Sequence, residues 1–168
     1  DTLHLPPLKG SALRGGFGHT FKRLVCTQSP LCQKSCRQGN TCPYGYIFET
    51  APPAGSESLR KLSDVPRPFI IRGAADRRTQ ITAGETLEFE VILVGHAINF
   101  LPYFIAIFQQ LGQQGLGRNR GQYRLSSVEA VSPFTGQTAL IYHNDNRLLQ
   151  PVDFAITSDT IVNHTAQL

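Results

Sequence analysis

His19 stands three residues before Lys22 and four before Arg23, at the end of the run Lys9-Gly10-Ser11-Ala12-Leu13-Arg14-Gly15-Gly16-Phe17-Gly18-His19. Imidazole gives and takes a proton near neutral pH. Ammonium and guanidinium groups offset negative charge that develops on a phosphate. Side chains three and four apart on a helix are neighbours, so a helix here projects His19, Lys22 and Arg23 together, with Arg14 about a turn earlier. Such a set supports general acid–base chemistry on a phosphodiester, with His19 as base or acid and Lys22 or Arg14 facing the developing charge. The competing reading is a surface histidine with no chemical task. Ser11 has no base or carboxylate partner in the pattern, which argues against a serine nucleophile.

A second cluster lies just downstream. Cys26, Cys32, Cys36 and Cys42 fall within 17 residues at the spacing C-x5-C-x3-C-x5-C. The residues between them are turn formers. Four thiolates gathered by a short loop complete a tetrahedral metal shell, which suits structural zinc. Thiolate ligands alone do not exclude an iron–sulfur cluster. Local disulfides, free thiols or a redox pair are the alternatives. The absence of a secretion signal favours a reducing, cytoplasmic compartment, which weakens the disulfide reading. A closed four-thiolate shell leaves no open position for metal catalysis.

The charge pattern points to an anionic partner. From Thr2 to Phe48 there is no acid, but there are six cations: Lys9, Arg14, Lys22, Arg23, Lys34 and Arg37. A second acid-free stretch, Val91 to Val128, carries Arg118, Arg120 and Arg124. Two separated basic segments able to converge in space favour nucleic acid over membrane. No window approaches the roughly 18 apolar residues of a membrane span. The missing carboxylates argue against a two-metal nuclease. Gly112, Gly115, Gly117 and Gly121 punctuate the second segment and can bring backbone N–H groups close to phosphates. The loop lacks the terminal Lys-Ser/Thr of a nucleotide-binding P-loop. Its competing reading is a flexible surface loop.

These groups need elements to hold them. The 168 residues suit one domain with a small extension. Helix is predicted over Lys9–Val25, with Ser11 as N-cap and Ala12, Leu13, Phe17, Phe21, Leu24 and Val25 near one face. Gly15, Gly16 and Gly18 are poor helix formers, and their presence predicts close approach by another backbone. Short strands are predicted over Tyr44–Thr50 and Arg67–Arg72. Glu85–Ala97 alternates as a longer strand. Asn99–Gln113 reads as an apolar helix with Pro102 in its first turn. Strands follow at Gln122–Val131 and Thr138–His143, and polar loop with weak strand after Asn144. One further strand ahead of Asp1 would complete βαββαβ, an α+β, ferredoxin-like (RRM-like) unit that this chain would then lack in its first strand. The domain is predicted over residues 1–131, with a metal-binding insertion at 26–42 and an extension or second-domain start at 132–168.

Leu8-Lys9-Gly10-Ser11-Ala12-Leu13-Arg14-Gly15 resembles the G-S-x-L-[KR]-G signature that opens the first helix of CRISPR-associated RAMP proteins. Gly115-Leu116-Gly117-Arg118-Asn119-Arg120-Gly121-Gln122-Tyr123-Arg124-Leu125 resembles a RAMP glycine-rich loop running into a strand. The cysteine cluster, Pro43-Tyr44, Ile47-Phe48-Glu49 and Arg67-Pro68-Phe69 are similar to the precursor-crRNA-processing endoribonuclease branch, so that the likeness covers about residues 5–128. The resemblance implies a ferredoxin-like RAMP domain, the N-terminal half of a tandem, working in antiviral defence. It implies CRISPR repeat RNA as ligand, bound through Lys9, Arg14, Lys22, Arg23, Gly115, Gly117, Arg118, Arg120 and Arg124. It also implies metal-independent cleavage in which a 2′-OH attacks the adjacent phosphate, leaving a 2′,3′-cyclic phosphate, with His19 as the matching histidine. Tyr123, Tyr44 and Phe17 are candidates to stack bases. His96, at a predicted strand end, can approach the RNA face. The alternatives are a non-catalytic RNA-binding subunit of a CRISPR effector complex and a metal-stabilised protein-interaction module.

Overall fold

A computed structural model of the chain describes residues 2–26, 41–50, 65–73, 76–152 and 154–165. The chain is mixed α and β and divides into two compact units, Asp1–Arg124 and Leu125–Leu168.

In the first unit the order is β1 (Leu3–His4), α1 (Gly10–Val25), α2 (Pro43–Phe48), β2 (Phe69–Arg72), β3 (Gln80–Ile81), β4 (Glu90–Leu93), a 3-10 helix (Gly95–Phe100) and α3 (Leu101–Gln114). A two-residue strand therefore lies inside the chain, ahead of α1, in place of the strand expected ahead of Asp1. Its partner is β3, antiparallel, with Leu3 opposite Ile81. β2 pairs antiparallel with β4, from Phe69 opposite Leu93 to Arg72 opposite Glu90. The predicted strand Glu85–Ala97 is thus cut to Glu90–Leu93: β2 offers four residues to pair with, and the chain coils at Gly95, whose φ is +59°.

Phe17 organises the core. It is fully buried and stacks on Phe104 at 4.6 Å between ring centroids, with Phe108 at 5.2 Å and Phe69 at 5.6 Å. Leu13 and Phe21, one turn either side, are buried with it, so this row of α1 faces α3 and β2. Phe17→Ala would cost about 3–5 kcal/mol by the general behaviour of buried aromatic truncation. Gly10 and Gly73 bring the start of α1 against the end of β2: a Cβ at Gly73 would lie 2.8 Å from the Gly10 nitrogen. That contact starts the helix at Gly10, with Lys9 in the N-cap position and no side-chain cap, so Ser11 falls inside the first turn instead of capping it.

Tyr44–Thr50, predicted as a strand, is helical over Pro43–Phe48. Pro43 occupies the first helical position, where its missing N–H costs nothing. Tyr44, Ile47 and Phe48 then meet the core at helical spacing, with Tyr44 and Ile47 buried.

The second unit is a hairpin, β5 (Ser127–Val131) and β6 (Thr138–His143), with a register irregularity at Val128/Glu129. Ile141 and Tyr142 are buried. A helix α4 (Ser158–Thr165) follows where loop and weak strand were expected. Thr157 sets its start: its Oγ1 accepts from the Thr160 N–H at 3.2 Å, an N-cap pattern.

Candidate functional site

α1 has four rows of side chains, and each faces something different. Leu13, Phe17 and Phe21 enter the core. Arg14, Gly18 and Lys22 face α2: Arg14 lies over the Phe48 ring at 5.2 Å and Phe69 at 4.6 Å, and Lys22 lies over Tyr44 at 5.4 Å. A Cβ at Gly18 would meet the Phe48 ring at 2.4 Å. Gly16 and Thr20 face the glycine loop: a Cβ at Gly16 would reach Leu116 at 3.0 Å, and Thr20 Oγ1 donates to Gln114 Oε1 at 3.1 Å. The fourth row, Ser11, Gly15, His19 and Arg23, is exposed. His19 therefore stands on an open face, between a flank holding Lys22 and a flank built on the glycine loop.

The predicted set is only partly gathered. His19, Lys22 and Arg23 share adjoining faces of α1, as their spacing requires. Lys22 also forms an ion pair with Glu49 at 4.0 Å. Arg14 sits more than a turn from His19, and its guanidinium is spread over two rings. Partial burial, and then repulsion from Arg67, lower its pKa from the ordinary guanidinium value. Arg67 packs on the same Phe48 ring at 5.8 Å and donates from Nε to the Phe48 carbonyl at 2.6 Å. Lys9 departs furthest from a surface role. It is 1% exposed, and its Nζ donates to the Asp76 carbonyl at 2.5 Å. A phosphate could reach it only if that bond opened.

The glycine loop is a tight, internally bonded turn. Gly115 and Gly117 have φ of +87° and +82°, values that glycine alone adopts readily. A Cβ at Gly115 would lie 2.1 Å from the Arg120 carbonyl oxygen, and one at Gly117 2.2 Å from the His4 carbonyl oxygen. The amides of Gly115, Leu116, Arg118 and Arg120 donate to Leu111, Gly121, His4 and Gly117 carbonyls, at 2.9–3.2 Å. Asn119 fastens the turn to β1, donating from Nδ2 to the Thr2 carbonyl at 2.7 Å. The glycines thus serve close packing of backbone on backbone. What the loop offers outward is charge: Arg118, Arg120 and Arg124 are exposed. Among the described residues no carboxylate pairs with them or with Arg23.

Of the predicted stacking residues, Phe17 and Tyr44 are buried. The Tyr123 hydroxyl donates to the Phe108 carbonyl at 2.9 Å, and burial pushes its phenol pKa up. Exposed rings lie elsewhere, at Tyr103, His96 and their neighbours. Asn99 and Asn119 also stand at positions whose side-chain bonds shape the surface, and only their place in acid-free segments marks them in the sequence.

Cys26 follows the last turn of α1 and Cys42 caps the start of α2, both as free thiols. Cys32 and Cys36 lie outside the described residues, as do Lys34 and Arg37. Among the described residues no group of three or more His, Cys, Asp or Glu side chains is placed to hold a metal. Among them, too, no helix is long and apolar enough to cross a membrane.

The chain belongs to the family described as AF_1859_N: N-terminal domain, whose model matches residues 1–154. It is 28% identical over 144 residues to an uncharacterized protein of Archaeoglobus fulgidus, a match covering 82% of this chain and 47% of that protein. The chain therefore spans about half the length of the curated relative it matches. No solved structure matches it.

Proposed function

We propose that this chain is a RAMP-type CRISPR RNA-binding domain that processes precursor crRNA at repeat sequences, as one half of a longer protein. The observation that carries the reading is the convergence of the two acid-free segments: the glycine loop packs on Gly16 and Thr20, the flank of α1 beside His19. Arg23, Arg118, Arg120 and Arg124 supply cations without carboxylate partners among the described residues. The ferredoxin-like reading draws support from the order β1–α1–β2–β4–α3, from the antiparallel β2/β4 pair and from α1 packed on α3 through Phe17 and Phe104. Two departures from that plan are the extra strand β3, paired with β1, and the separation of β1/β3 and β2/β4 into two two-stranded sheets in place of one four-stranded sheet.

In this reading the ribose 2′-OH loses its proton to a base as it attacks the adjacent phosphorus, and the 5′-oxygen leaves with a proton from an acid. His19 takes one of these roles. Lys22 faces the developing negative charge. The four cysteines hold structural zinc as thiolates in a reducing cytoplasm, with an iron–sulfur cluster as the other occupant they suit.

The stacking of Arg14 on Phe48 and Phe69 favours the second reading, a non-catalytic subunit of a CRISPR effector complex, because it draws one of the predicted catalytic cations away from His19. Labelled repeat RNA from the chain's own genome, incubated in EDTA, separates the two. Discrete cleavage that His19→Ala abolishes, with cyclic-phosphate ends, supports processing. Retarded but intact RNA supports the binding subunit. RNA that neither shifts nor is cut defeats both.

A further inference from the structure

Of the rings in the open aromatic cluster beside α2 and α3, the sequence singled out His96 alone. Tyr46 of α2 stacks on Phe100 at 5.5 Å with planes 21° apart. His96 stands edge-on to both, at 5.5 Å from Tyr46 and 5.7 Å from Phe100. Phe100 continues to Tyr103 at 5.8 Å. Tyr103 and Ile98 are each 43% exposed, His96 and Asn99 are exposed, and Tyr46 and Phe100 are half-buried. The cluster lies at the edge of the core, which it meets through Tyr103 and Phe21.

The cluster carries polar edges as well. Asn99 Nδ2 and His96 Nδ1 are 3.0 Å apart. With the amide donating, the neutral imidazole bears its proton on Nε2, and Asn99 Oδ1 remains an acceptor. One donor and one acceptor beside an aromatic face match the edge and the π-face of a nucleobase. Charge fits the same occupant. All four rings come from the two acid-free segments, Thr2–Phe48 and Val91–Val128. The cluster is continuous with the cationic end of α1: Tyr103 approaches Phe21 at 6.5 Å, Phe21 meets Tyr44 at 5.7 Å, and Lys22 lies over Tyr44 at 5.4 Å. Glu49, at the C-terminal end of α2, is engaged by Lys22.

The geometry points to a base-stacking site for single-stranded RNA formed by Tyr46, His96, Asn99, Phe100 and Tyr103. It rests on the RNA-binding reading and adds to it a second contact, one that reads bases where the arginines read phosphates.

The test compares two labelled ten-nucleotide probes: a single-stranded RNA of mixed sequence, and an oligomer with the same sugar–phosphate backbone and no bases. The intact chain is expected to bind the base-bearing probe on the order of 5- to 100-fold more tightly. Tyr103→Ala should lose most of that difference while leaving the abasic affinity unchanged, and Tyr103→Phe should keep it. Arg118→Ala should weaken both probes alike. A 4-thiouridine probe on the unsubstituted chain should cross-link within residues 96–103, a readout that no folding defect can confuse. Equal affinity for both probes, a base preference that Tyr103→Ala leaves intact, or cross-links confined to other segments would overturn the stacking site and leave the RNA-binding reading standing. Failure of the chain to bind either probe would overturn both.

Discussion

Gly15 and Gly18 sit three residues apart in one helix, yet a methyl group at each has opposite consequences. Among the described residues, nothing beyond its own stretch of helix lies within 4 Å of a Cβ at Gly15, so Gly15→Ala gains helix propensity. It should raise stability by about 1 kcal/mol. At Gly18 the same methyl meets the Phe48 ring at 2.4 Å, and that ring is held by Tyr44 at 5.5 Å and by Arg14. Overpacking of this kind costs about 1–3 kcal/mol, against which the propensity gain is set, so Gly18→Ala should destabilise by about 1 kcal/mol. Urea unfolding of the two variants beside the parent checks both signs. The expectation that all three helix glycines answer a neighbouring backbone fails: Gly16 and Gly18 meet side chains, and Gly15 meets nothing among the described residues beyond its own helix. Asp76 gives a pH-dependent counterpart. Hydrogen bonds from the Arg78 side chain and backbone hold its carboxyl down to about 2, from an ordinary 3.8. The native state prefers the ionised form, so this stabilisation is complete above the ordinary value and is lost as pH falls from about 4 to about 2. Melting temperatures from pH 5 to 2 should therefore show Asp76→Asn less stable than the parent at the upper end, with the gap closing toward the lower. A constant gap would mean that the carboxylate plays no such part.

At the scale of elements, the two long helices were legible because their apolar residues recur at helical spacing over four turns, and the structure moves their ends by only one or two residues. The β6 hairpin strand was legible throughout, Thr138 to His143. α2 was not. Tyr44, Tyr46 and Phe48 alternate like a strand, and six residues are too few for the helical repeat Tyr44–Ile47–Phe48 to assert itself against that pattern. The signal that could have decided it was Pro43, which suits a first helical position. β3 escaped notice because two residues carry no period at all. The candidate site followed the same rule. His19, Lys22 and Arg23 were placed by spacing alone, whereas the burial of Lys9 and the stacking of Arg14 depend on Asp76, Phe48 and Phe69, distant in sequence. α1 and α2 also bracket the cysteine segment, with Cys26 after one and Cys42 before the other. A metal bound there ties the two helices at their ends and contributes to folding directly. The isolated chain should carry about one zinc per molecule, and Cys42→Ser should lose it along with several degrees of thermal stability. Visible charge-transfer absorption would assign an iron–sulfur cluster instead. Native protein whose four thiols all react at once with a thiol reagent would rule out either metal.

At the scale of the whole molecule, the net charge of +4 understates the field that an RNA strand would meet. Among the described acids of the first unit, Glu90 pairs with Arg72, Asp76 and Glu85 with Arg78, and Glu49 with Lys22, while Glu88 forms no ion pair. Arg23, Arg118, Arg120 and Arg124 are left without carboxylate partners among the described residues, and all four belong to the Asp1–Arg124 unit. Each guanidinium that meets a phosphate of a single strand releases condensed counterion, and the logarithm of affinity then falls with the logarithm of salt by about 0.7 per contact. Four such contacts give a slope close to −3 for single-stranded RNA, on the order of the 0.7 value times their number. The double variant Arg118→Ala/Arg120→Ala should flatten that slope by roughly 1.4 and should do so for every RNA sequence alike, since phosphate contacts carry no sequence information. Arg72→Ala, whose charge is already spent on Glu90 at 3.3 Å, should leave the slope where it was. Binding measured by fluorescence anisotropy across a salt series decides the matter: a slope indifferent to the arginine pair would remove the glycine loop from the proposed RNA-binding surface, whatever the affinity at any single salt concentration.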